Sequence, residues 1–180
     1  MKKFIALLRG INVSGQKKIK MSDLKSLFED LGFLNVETYI QSGNVIFSSN
    51  ETLVEIIATK ISSGIKRKFG FDVQVIILTP KEIDSALKSN PFMKMKEETK
   101  WLYIIFLSNT PLKENIQKLN STDYSPEEYK IIGKLVYLFL PKGAGKAKLN
   151  NNLFEHKLKV TGTTRNWNTI KTLSELAIHQ

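Results

Sequence analysis

The chain has 180 residues, 42% of them hydrophobic and 24% charged, and a net charge of +10. That size and composition fit one domain, or two small packed halves, with a sizeable core and no large disordered region. The absence of cysteine excludes a disulfide scaffold, cysteine zinc sites and a thiol nucleophile, and no apolar run approaches the ~20 residues of a membrane helix.

Phe4 to Leu8 is a continuous apolar run closed by Arg9, the pattern of a central strand buried on both faces. Arg9 also breaks the run before a signal-peptide core forms, so a soluble, cytoplasmic protein is expected. Gly10 to Gln16 reads as a loop. A helix is predicted from an N-cap at Ser22 to Gly32, with Leu24, Leu27, Phe28 and Leu31 on one face.

Thr38 to Phe47 is the clearest hairpin signal: two apolar runs flank Ser42-Gly43. A two-residue loop pairs Ile40 with Val45 and Tyr39 with Ile46. Val36, Thr38, Ile40, Val45 and Phe47 then share a face.

Asn50 is expected to cap a long helix with the stripe Leu53, Ile56, Ile57, Ile61, Ile65 and Phe69, and Val73 to Leu78 to form a strand. The order β-α-β-β-α-β is the ferredoxin-like split βαβ pattern. Thr79-Pro80-Lys81-Glu82 forms a capping box opening a short helix. Phe92 to Lys100 reads as a connector, and the halves are placed at 1–90 and 91–180. Beyond it come a strand from Trp101 to Leu107, a helix opened by Thr110-Pro111, and a hairpin turning at Gly133-Lys134. The second half thus begins β-α-β-β like the first, which suggests an internal repeat. A helix carrying Leu149, Leu153, Phe154 and Leu158 follows, then a polar loop from Thr161 to Asn166, then a last helix from Trp167. The fold class is therefore α+β: two ferredoxin-like halves with antiparallel sheets, plus C-terminal helices.

Both ends of the chain are basic. Met1 to Ser22 holds six cations and no acid, and Lys142 to Lys171 holds seven cations and only Glu155. If the ends meet, they form an anion-attracting face; the bland alternative is solvated lysine. Gly143-Ala144-Gly145-Lys146 lies between a strand and a helix, a placement that suits either anion binding by backbone N–H groups or an ordinary basic loop. It is not a Walker A loop, because Leu140 replaces the first glycine and Ala147 the magnesium-binding hydroxyl. Arg165 precedes a helix start, where a cation is disfavoured, so it implies a carboxylate partner or an anion shared with the helix end. Asn166 serves as ligand group or cap. Arg9 and Asn12 follow a strand end, and Gln41, Ser42 and Asn44 crowd the hairpin tip. His156 and His179 belong to no metal-ligand or catalytic set, and no metal or cofactor is implied.

Leu7 to Val13, Tyr39 to Phe47 and Thr163 to Thr169 together resemble the bacterial domain-of-unknown-function family 1697. The resemblance implies a cytosolic protein of two ferredoxin-like halves and no established activity. It also implies a serine near Ala147, a hydroxyl that this chain lacks.

The leading functional expectation is a module that binds an anionic partner, nucleic acid first. Ferredoxin-like RNA-binding domains stack bases on sheet aromatics; here an RNP1 string is missing and Tyr39 is the best-placed aromatic. The alternatives are an enzyme or sensor for a small phosphorylated or carboxylated ligand held by Arg9, Asn12, Gln41, Asn44 and Arg165, and a protein-interaction scaffold.

Overall fold

A computed structural model describes residues 1–13, 15–93 and 98–179. Part of the expected connector, residues 94–97, lies outside them, as does the side chain of His179. The backbone falls into two units, residues 1–85 with 172–180, and residues 86–171.

In the first unit, β1 (Lys2–Leu8), α1 (Met21–Asp30), β2 (Leu34–Tyr39), β3 (Asn44–Ser49), α2 (Val54–Phe69) and β4 (Val75–Leu78) follow one another. The strands form an antiparallel sheet in the order β2-β3-β1-β4. Strand alternation sends Phe4, Ala6, Leu8, Val45 and Phe47 toward Leu24, Leu27 and Phe28 of α1 and Ile57, Ile61 and Ile65 of α2. Phe28 meets Phe47 edge-on and Phe33 meets it tilted, at 5.4 and 4.7 Å between ring centroids. Such pairs contribute about 0.5–1.5 kcal/mol each beyond burial. On the other face, Ile5, Leu7 and Ile46 are also buried, so β1 is covered on both sides as its unbroken apolar run predicts.

α3 (Pro80–Lys88) opens with the predicted capping box. Thr79 N donates to Glu82 Oε2 at 2.7 Å and Glu82 N to Thr79 Oγ1 at 3.2 Å.

The second unit repeats the order. β5 (Leu102–Leu107), α4 (Lys113–Asn120), β6 (Glu128–Ile132), β7 (Leu135–Phe139), α5 (Asn151–Leu158) and β8 (Gly162–Asn166) give an antiparallel sheet ordered β6-β7-β5-β8. Ile105, Val136 and Leu138 pack with Leu119 of α4 and Phe154 and Leu158 of α5. α6 (Trp167–His179) closes the chain. The repeat extends to single bonds. Leu8 N donates to Gly43 O at 2.8 Å and Arg9 N to Gln74 O at 2.9 Å; Leu107 N donates to Lys134 O at 2.9 Å and Ser108 N to Thr161 O at 2.8 Å.

Several local expectations are corrected. The segment Thr161 to Asn166, expected as a polar loop, supplies the edge strand β8, pairing Ile104 with Arg165 and Phe106 with Thr163. The first hairpin turns over four residues, not two: Tyr39 pairs with Asn44 and Thr38 with Val45. The slip is even-numbered, so Val36, Thr38, Val45 and Phe47 keep their shared face, while Ile40 leaves the strand at φ +48°. Ser22 does not cap α1, which starts a residue earlier, and Asn50 does not cap α2. At α2 the Glu51 carboxylate accepts from Thr52 N and Leu53 N at 2.7 and 2.8 Å, and Leu53 and Ile56 are exposed rather than core.

Candidate functional site

β1 and β2 end, and β3 and β4 begin, at one end of the first sheet. Arg9 leaves β1 there, tied through its N–H to Gln74, the residue before β4. The loop that follows carries Lys17, Lys18 and Lys20. It is held down by Asn12, whose Nδ2 donates to Gln41 O at 2.8 Å and to Ile19 O at 2.9 Å, and whose Oδ1 accepts from Ile19 N at 2.8 Å. Asn12 sits at φ +54°, a conformation asparagine tolerates better than most residues. Its amide is therefore committed to tying the lysine loop to the hairpin turn. Lys17 Nζ reaches Asp72 O just before β4 and fixes the loop on that side.

The hairpin tip meets the same loop. Gly43 is at φ +71°, and a Cβ there would lie 2.8 Å from Ile11 Cδ1 and 2.8 Å from Leu8 Cβ. Only glycine satisfies both the backbone and the space. Gln41 is exposed, Ser42 half-buried and Asn44 fully buried, its Nδ2 donating to Tyr39 O at 3.1 Å. Of the five residues singled out in this half, Asn12 and Asn44 shape the end of the sheet, Gln41 is exposed on it, and Arg9 and Ser42 are half-buried there.

α2 ends at this same end of the unit with Lys66, Arg67 and Lys68 in its last turn, and Gly70 closes it at φ +76°. Between that turn and the start of β4 lies a depression of about 380 Å³ lined by Ser62, Ser63, Lys66, Arg67, Asp72 and Gln74. Lys66 pairs with Asp72. The apolar stripe of this helix says nothing about these cations; their meeting with Lys17 depends on strand pairing, which no local pattern reveals.

In the second unit, Arg165 lies in β8, just before Asn166 and the start of α6. It is 7% exposed, and its Nη1 donates to Thr163 Oγ1 at 2.7 Å and Thr164 O at 2.9 Å. Burial pulls its pKa down to about 10. Asn166 follows at the exposed end of β8 and caps α6, its Oδ1 accepting from Thr169 N at 2.8 Å. The glycine loop shares that end of the sheet: a Cβ on Gly143 would lie 3.8 Å from the Trp101 ring, and Gly145 and Lys146 are exposed. The N–H groups just beyond it are occupied by an internal anion, since Lys148 N and Leu149 N donate to the Glu127 carboxylate at 3.0 and 2.7 Å. Glu127 was not anticipated; nothing near it in sequence announces a partner 21 residues away.

The sheet faces opposite the helices differ from those of an open base-stacking platform. The row Lys130, Tyr137, Ile104, Arg165 crosses the second sheet on that face. Tyr137 and Ile104 are fully buried, and the Tyr137 hydroxyl, its pKa raised to about 12 by burial, donates to Ala86 O at 3.1 Å. In the first sheet Tyr39 is half-buried beside the buried Asn44 and Leu7. Among the described residues, no group of acidic, histidine or cysteine side chains is placed to hold a metal ion, and no helix is long and apolar enough to cross a membrane.

Comparison with known proteins bears on the fold and the family. A solved structure similar to this one, the conserved bacterial protein SP0830 from Streptococcus pneumoniae, superposes with a TM-score of 0.77 at 20% identity over 99% of each chain. At that identity the likeness shows the fold alone. No curated protein matches the chain. The model of a protein family of unknown function, DUF1697, matches residues 1–137. With that stretch covering about three quarters of the chain, including the first hairpin and the first unit's polar end, the chain belongs to the DUF1697 family.

Proposed function

We propose that this is a cytoplasmic protein that binds an extended anionic partner, nucleic acid first, through the basic end of its N-terminal unit. The observation that carries the reading is the fixed lysine loop. Asn12 and Lys17 bond it to the hairpin turn and to the start of β4. Arg9, Lys17, Lys18 and Lys20 are thereby presented together with the polar groups of Gln41 and Ser42. Held cations lose less side-chain and loop freedom on binding than cations on a mobile loop.

The buried sheet faces favour contacts with phosphates over base stacking. Such contacts orient a strand and carry no sequence information of their own. The small-ligand cleft built from Arg9, Asn12, Gln41, Asn44 and Arg165 is less favoured, because the amides of Asn12 and Asn44 are used within the fold.

Titration of labelled single strands of mixed sequence across a salt series tests the proposal. Affinity should fall linearly on a log–log plot of binding constant against salt, with little preference among sequences. A double substitution, Arg9→Ala with Lys18→Ala, should reduce the steepness of that plot. No binding at low salt, or binding without a salt slope, would sink the reading.

A further inference from the structure

We infer that the depression between the end of α2 and the start of β4 is a site for a phosphomonoester, the terminal phosphate of a strand being the ligand it suits. The inference rests on the reading of this end of the unit as anion-binding and specifies the group that it takes.

Charge is the first argument. Lys66 and Arg67 line the depression, and Lys17 reaches its rim through the carbonyl of Asp72. Against these three cations stands one acid, Asp72, which leaves two positive charges. A phosphomonoester carries about −1.5 to −2 at neutral pH. A phosphodiester in mid-strand carries a single charge and matches the site less well.

Donors are the second. Arg67 supplies a planar fork suited to two phosphate oxygens. Ser63 is exposed on the preceding turn of the helix, and the Ser62 hydroxyl donates only to its own helix, at Thr59 O 3.1 Å away, so it can turn outward. The volume of about 380 Å³ accommodates the phosphate with the sugar that bears it.

Position is the third. Gln74 lines the depression and accepts the N–H of Arg9. A strand whose end sits here would continue directly across Arg9 and the lysine loop. Asp72 has a definite part in this arrangement. Its carboxylate holds Lys66 and its carbonyl holds Lys17, so the two ammonium groups are positioned before the ligand arrives, and the carboxylate must yield Lys66 when it does.

The test compares a short single strand bearing a 5′-phosphate or a 3′-phosphate with the same strand ending in hydroxyls, alongside inorganic phosphate followed by backbone NMR. One phosphorylated strand should bind about tenfold more tightly, the value of one or two charge-assisted hydrogen bonds. Arg67→Ala should erase that preference, and Asp72→Asn, which keeps the carbonyl and removes the charge, should widen it. If inorganic phosphate shifts the Ser63 and Arg67 signals while no strand binds at any salt, the phosphomonoester site stands with a small phosphorylated compound as its source, and the nucleic-acid reading falls. If strands bind with a salt slope but the three ends are indistinguishable and inorganic phosphate shifts nothing, the inference is overturned and the broader reading survives.

Discussion

The Nδ2 of Asn12 lies 2.8 Å from the carbonyl oxygen of Gln41, and through that bond the loop after β1 and the turn between β2 and β3 become one surface. The same amide closes a two-way exchange with Ile19. Asn12→Ala removes three hydrogen bonds to backbone groups and leaves an alanine at φ +54°. It should cost about 2–3 kcal/mol, read as a shift in urea midpoint at constant m. Asn12→Gly relieves the backbone but not the bonds and should recover only part of the loss. A variant within about 0.5 kcal/mol of the parent would show that the staple contributes little.

Gly10 and Gly43 both have positive φ, +68° and +71°, but differ in their surroundings. Nothing lies within 4 Å of a Cβ on Gly10, whereas a Cβ on Gly43 would lie 2.8 Å from Ile11 and Leu8 side-chain atoms. Gly10→Ala should therefore cost only the backbone term, about 1 kcal/mol. Gly43→Ala adds overpacking and should cost about 2–4 kcal/mol in all. Thermal melts of the two variants separate conformation from crowding. Equal losses would refute the close approach.

Arg165 and Thr163 share a buried hydrogen bond at 2.7 Å on β8. Each single change, Arg165→Met or Thr163→Val, strands a polar partner and should destabilise by about 1–3 kcal/mol. The double variant should lose about 1–2 kcal/mol less than the sum, because both partners leave together. Burial lowers the arginine pKa to about 10 from 12.5, so the cost of keeping it charged is present throughout neutral pH. That cost is relieved only as pH rises from about 10 toward 12.5. Between pH 5 and 9, Arg165→Met should therefore change stability by a constant amount.

Glu51 is held below its ordinary pKa of 4.5 by the N–H groups of Leu53 and Thr52 at the entrance to α2. A depressed carboxylate contributes stability above its unfolded value and loses it as pH falls through the folded one. A carboxyl carbon titration should place the Glu51 midpoint below that of an unstructured glutamate. Glu51→Gln should flatten the acid limb of the stability profile. A midpoint at or above the ordinary value would contradict the bonding.

Elements whose buried face is apolar were legible in the sequence. The β6–β7 hairpin turns at Gly133-Lys134 as expected, with Ile132 opposite Leu135. The first hairpin misled because its tip is settled by side chains: Asn44 bonds Tyr39 O, and Ile40 accepts a left-handed backbone that its type disfavours. β8 was hidden for a different reason. Its buried positions Thr163 and Arg165, on the face opposite the helices, are polar, so the hydrophobic alternation that marks a strand is missing. The candidate site was half legible. Arg9 and the hairpin tip stand out as polar residues between apolar runs. The approach of Lys66 and Arg67 to Lys17 is created by sheet pairing across more than 45 residues and has no local trace.

The matched pairs of backbone bonds at Leu8, Arg9, Leu107 and Ser108 make the two units alignable position by position, where their side chains give no guide. Under that alignment the counterpart of Arg9 is Ser108, and the counterpart of Ser42-Gly43 at the polar tip is the turn Gly133-Lys134. The molecule thus carries its own comparison: one copy of a scaffold with an arginine after its first strand, and a second copy with a serine there. Moving the arginine from position 9 to position 108 would ask whether the corner itself, or only its present lysine loop, gives the cation its use.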